Sequence, residues 1–133
     1  NDAKAQKLAE IAATSVTELE ISKAADASVI APAVITATAA IGATTRCIKL
    51  AHNSVVIAVT GPSGVHLAGQ TMFITNVSGS GTTAHTVTLS AGTFDGTNNI
   101  ATLNAPGETL HVWFDSAGAG TIIANVGSVG LST

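Results

Sequence analysis

After Pro32 the chain offers no run suited to a long helix. Short β-forming stretches alternate with clusters of Gly, Asn, Ser and Pro, and this punctuation confines the chain to many short strands. Strands are read at AVITATA (33–39), RCIKL (46–50), SVVIAVT (54–60), TMFITNV (71–77), AHTVTLS (84–90), NIATL (99–103), TLHVWF (109–114) and GTIIAN (120–125). GPSG (61–64), GSGTT (79–83), DGTNN (95–99) and APGE (105–108) read as the turns between them. Roughly eight strands at about 8–12-residue spacing point to an all-β sandwich or barrel.

Alternation identifies faces. Val87 and Leu89 point one way, and Thr86, Thr88 and Ser90 the other. In TLHVWF, Leu110, Val112 and Phe114 share one face, and His111 and Trp113 share the opposite one. Apolar groups on both sides mean that this strand is covered twice, once in its own core and once elsewhere. Trp is enriched at subunit contacts, so Trp113 and His111 are candidate interface residues.

The segment before Pro32 has a different texture. AKAQKLAEIAA is rich in helix formers, with Leu8, Ile11 and Ala12 on one face. Ser15 and Glu18 have capping-box spacing for a second short helix that would bury Leu19, Ala24 and Ile21. Ala31-Pro32 ends the helical pattern. The expected organisation is therefore a helical N-terminal arm, residues 1–30, and a β head, residues 31–133. Leu8, Ile11, Leu19 and Ile21 are the arm's candidate contacts to a shell or to neighbouring subunits.

Charge distribution narrows the function. All cations, Lys4, Lys7, Lys23, Arg46 and Lys49, precede residue 50, and from Ala51 onward the only charges are Asp95, Glu108 and Asp115. A nucleic-acid partner, which needs clustered Lys or Arg against phosphates, is not expected. The charge-free run 50–94 is too interrupted by Gly, Pro, Ser, Thr, Asn and His to span a membrane. The opening NDAKAQKLAEIAATS has no basic stretch leading into an apolar core, so no secretion signal is expected in it.

No motif reaches the standard of an enzyme. Cys47 stands alone and reads as a small buried apolar residue. His52, His66, His85 and His111 show no zinc-ligand spacing, so neither a metal nor another cofactor is expected. His85, Asp95 and a serine form a triad only on paper, since no G-x-S-x-G elbow accompanies them. Glu108 and Asp115 flank the Trp113 strand, an arrangement seen in glycosidases, but read more simply as turn acids. Asn76-Val77-Ser78 fits the glycosylation sequon by accident.

The order of motifs from residue 69 to 132 carries a resemblance. A Gly-Gln-Thr-Met-Phe-Ile-Thr-Asn strand is followed by His-Thr-Val-Thr-Leu, a Gly-Thr-Phe-Asp-Gly turn, a Pro-Gly hairpin into the Trp113 strand, and a closing Ile-Ile-Ala-Asn-Val-Gly. This resembles the jelly-roll-type β module of tailed-bacteriophage capsid decoration (cement) and head-fibre proteins. Upstream, residues 14–26 resemble the Thr-Ala-x-Glu-Leu segments of head and tail fibres, although Ala27 stands where that pattern has Gly after the Asp. The resemblance implies a mainly β protein: a jelly-roll-like β-sandwich with a short helical N-terminal arm. It also implies a non-catalytic homotrimer that binds the major capsid protein on the outer surface of the virion capsid, with no nucleic-acid or membrane partner. The alternative is a tail-fibre or receptor-binding module that recognises a host surface glycan.

Overall fold

The computed structural model describes residues 32–79 and 84–133. The chain divides into two compact units, Asn1–Ala31 and Pro32–Thr133. The expected helical arm lies outside the described residues. The second unit is mainly β, as the alternation requires. Its strands are β1 (Ala33–Ile35), β2 (Ala39–Ala40), β3 (Cys47–Leu50), β4 (Ala58–Thr60), β5 (Thr71–Asn76), β6 (His85–Thr88), β7 (Ile100–Leu103), β8 (Thr109–Phe114), β9 (Gly120–Val126) and β10 (Gly130–Ser132).

These strands build a two-sheet sandwich. The first sheet has the order β1-β3-β5-β8-β9 and the second β10-β7-β6-β4-β2. From β1 to β6 the chain alternates between sheets, so each coil adds one parallel strand to each. It then reverses: β7 turns back along β6, β8 pairs antiparallel to β5, and β9 and β10 close the far edges. The sheets are therefore mixed, and this winding is not readable from hydropathy. AVITATA is not one strand but two, β1 and β2, belonging to opposite sheets.

The core lies between the sheets. Ile48 and Leu50, Met72 and Ile74, and Leu110, Val112 and Phe114 point inward from the first sheet. Val59, Val87, Ala101 and Leu103 meet them from the second, and Ile57, Leu67, Leu89, Phe94 and Val129 fill in from connections. Both inward faces follow the period of two, and each fully buried Leu or Ile contributes about 1.5–3 kcal/mol.

One end of the sandwich is closed by loop-on-loop stacking. Residues 61–64, 90–94 and 118–120 pack backbone to backbone through Gly64 N–H to the Ala91 carbonyl (2.8 Å), Thr93 N–H to Gly118 (3.0 Å) and Gly120 N–H to Thr93 (2.8 Å). At the glycines of these loops there is no room for a side chain. A Cβ at Gly92 would run into the Gly118 carbonyl oxygen, and one at Gly120 into the Phe94 carbonyl.

Gly92 and Gly96 make a controlled comparison, because both have φ near +86° to +87° but only Gly92 is crowded. Gly96→Ala should cost about 1–2 kcal/mol, the strain of a left-handed residue alone. Gly92→Ala should cost distinctly more in the same denaturant titration. Equal losses would mean that the loop stacking is not tight.

Candidate functional site

The two outer faces of the sandwich differ in chemistry. On the second sheet, register places Ala58, Thr86, Thr102 and Gly130 in one row and Thr60, Thr88, Ile100 and Ser132 in the next. That face is small and mostly hydroxylated. On the first sheet one row runs Cys47, Phe73, His111, Ala124, and its neighbour pairs Thr71, Trp113 and Thr121. A third runs Val34, Lys49, Thr75, Thr109, Val126, in which the Thr75 and Thr109 hydroxyls hydrogen-bond to each other. Between His111 and Val112 the register slips, so Ile123 is an extra residue on β9. Phe73, Trp113, Ile123, Val34 and Val126 are 41–57% exposed.

Trp113 and His111 thus lie together on the outer face, opposite Leu110, Val112 and Phe114, as alternation required. Phe73, which sequence reading did not single out, joins them. Its ring stacks on the His111 imidazole with centroids 3.7 Å apart and planes inclined by 16°. His111 Nε2 is buried without a hydrogen-bond partner. The signal for Phe73 was present: Met72 and Ile74 alternate inward, which leaves Phe73 facing out. Cys47 is half-buried on this same face rather than in the core. Leu8, Ile11, Leu19 and Ile21 lie outside the described residues.

The buried polar groups serve the connections. His85 is fully buried, and its Nδ1 accepts the Ile57 N–H (3.0 Å). A neutral ring therefore carries its proton on Nε2, which lies 3.1 Å from both the Ser78 Oγ and the His52 carbonyl. Ser78 Oγ also accepts the His52 N–H (3.1 Å). A nucleophilic Ser–His pair needs the reverse arrangement, a bare Nε2 beside the hydroxyl and an acceptor on the Nδ1 proton. Ser78 and His85 instead tie the β3–β4 connection to the β5–β6 connection. Asp95 takes no part, because it sits beyond the other end of β6.

The acids act in the same way. Glu108 is buried, and its carboxylate accepts the Asn104 and Ala105 N–H groups. Asp115 accepts Ala117 N–H (2.8 Å) and Ala119 N–H (2.9 Å). They sit at opposite ends of β8, roughly 20 Å apart at strand rise, against the about 5–9.5 Å of a glycosidase pair. Asp95 accepts Asn98 N–H (2.7 Å) and Thr97 N–H (3.0 Å). The Asn98 backbone and side-chain amides, then Thr97, hold its carboxyl below the ordinary 3.8. In the sequon, Asn76 points into the core and Ser78 is buried, so the pair is not presented for modification. Among the described residues no group of three or more His, Cys, Asp or Glu could hold a metal ion.

No protein-family model matches the chain, and neither a curated protein nor a solved structure is significantly similar to it.

The tautomer of His85 can be read directly. Long-range proton–nitrogen NMR should find the proton on Nε2, and His85→Ala should cost at least about 1–3 kcal/mol for each donor or acceptor left unpaired. A proton on Nδ1 in the folded protein would contradict the assignment and reopen Ser78 as a nucleophile.

Proposed function

We propose that this chain is a structural protein of a tailed-bacteriophage virion, a capsid decoration (cement) protein without catalysis. In this reading it assembles as a homotrimer through the outer face of its first sheet and binds the major capsid protein on the outside of the capsid. The observation that carries the self-association is the contrast between the two outer faces. Phe73, Trp113, Ile123, Val34 and Val126 expose large apolar side chains among the threonines and Lys49 of the first sheet's face, while the second sheet presents Thr, Ser, Ala and Gly with the half-buried Ile100. Lys49 is the one charged strand residue on the apolar face. A partner matched by charge does not suit such a surface, whereas apolar surface of further copies gathered around a common axis does. Closed cyclic symmetry then stops growth. The three-fold count and the capsid location come from the phage resemblance of residues 14–26 and 69–132.

Light scattering on the full chain tests the assembly. The expected mass is three times 13.1 kDa, unchanged at low salt and at ~1 M, where screening reaches about 3 Å. Trp113→Lys should give monomers or insoluble protein. A soluble wild-type monomer, or a trimer that salt dissociates, contradicts the reading. Immunogold labelling should mark virion heads, and labelling confined to tails overturns the capsid assignment.

A further inference from the structure

Where β3 and β5 end, their onward connections cross towards the second sheet side by side. Between them runs a shallow groove of about 480 Å³ lined by Ala51, His52, Asn53, Ser54, Val77, Ser78 and Gly79. Its volume lies within the about 300–1,000 Å³ of small-ligand sites. Its walls are fastened to each other. Val77 N–H binds the Leu50 carbonyl (2.9 Å), His52 N–H binds Ser78 Oγ (3.1 Å), and Gly79 N–H binds Asn53 Oδ1 (2.7 Å).

Those bonds also set the groove's chemistry. Asn53 accepts through Oδ1, which leaves its Nδ2 as a donor. His52 Nδ1 accepts the N–H groups of Ser54 (3.1 Å) and Val55 (2.9 Å), which fixes the ring and leaves Nε2 to carry the proton of the neutral form. Ser54 adds a hydroxyl, and Ala51 and Val77 add apolar surface.

We propose that this groove binds a neutral sugar, such as an unmodified hexose or N-acetylhexosamine unit of a glycan. Among the described residues that line it none is charged, so they offer neutral hydrogen-bonding groups rather than a counter-charge for a phosphate, a carboxylate or an ammonium group. Directional neutral donors and acceptors match sugar hydroxyls, and Ala51 and Val77 suit the C–H face of a pyranose. An extended peptide would need a free strand edge, but β3 and β5 are each paired on both sides. The anchored side chains need little ordering on binding, which favours even a small ligand. This inference rests on neither the trimer nor the capsid location and can fail or hold separately from both.

The test is an amide-resolved NMR titration of the full chain with glucose, galactose, rhamnose and N-acetylglucosamine, each at millimolar concentration, and with inorganic phosphate as the control. At least one sugar should give saturable shifts centred on residues 51–54 and 77–79, and phosphate none. Asn53→Ala removes a donor and Ser54→Lys fills the groove from an exposed position; each should weaken binding by about tenfold or more. Ser54→Lys disturbs no fold-holding side-chain bond, so it keeps the test valid if Asn53→Ala loosens the loop. The proposal is overturned if no sugar shifts these amides, if shifts lie elsewhere, if phosphate reproduces them, or if Ser54→Lys binds as the wild type does.

Discussion

Crossing between sheets on nearly every turn of the chain is the constraint from which the rest of this fold follows. Each crossing carries backbone N–H and C=O groups away from the sheet ladders, and these need partners at the ends of a packed core. The chain meets that need with its few polar side chains. His85 and Ser78 tie two neighbouring crossings together, Glu108 caps the turn before β8, and Asp115 caps the turn after it. Asn125 holds the crossing into β10 by accepting the Val129 N–H (2.7 Å) and donating to its carbonyl (3.0 Å). At the end that Asp115 caps, glycines do the equivalent work by letting three loops bond through their backbones. This is why Glu108, Asp115, Asp95 and His52, which first suggest chemistry, are found at turns and connections.

With the polar groups committed to the ends, the outer faces of the sheets are left to set how the molecule meets its surroundings. The second sheet's face is small and hydroxylated. The first sheet's face holds the Phe73–His111 stack beside Trp113 and collects the exposed Ile123 and Val126 at its edge. Several large apolar side chains exposed on one face of a sheet mark a surface suited to a partner. An aromatic-poor core sharpens the point, because of the four aromatic residues in the chain, Phe94 and Phe114 are buried while Phe73 and Trp113 are not.

Faces were legible in the sequence because a strand's period is two. Val87 with Leu89, and Leu110 with Val112 and Phe114, were each grouped on one face by alternation, and that face is the inward one. Pairing was not legible, since parallel and antiparallel neighbours impose the same alternation. The break inside AVITATA carries no Gly or Pro to announce it. SVVIAVT was read as strand throughout, but His52 Nδ1 takes up the Ser54 and Val55 N–H groups, and the strand begins only at Ala58. β10 is three residues long and lacks a signal of its own. Trp113 and His111 could be placed on the outer face from sequence, but the stack with Phe73 depends on the β5–β8 register, which sequence does not reveal.

Trp113 is the single tryptophan of the chain and sits on the face in question, so its fluorescence reports directly on whether that face is covered. In an isolated protomer it is 41% exposed and open to a quencher. The decisive measurement is acrylamide quenching of the full chain across a dilution series. Self-association through the first sheet predicts a blue-shifted emission and weak quenching at high concentration, with quenching rising on dilution if the assembly dissociates. Strong quenching that is the same at every concentration would contradict it.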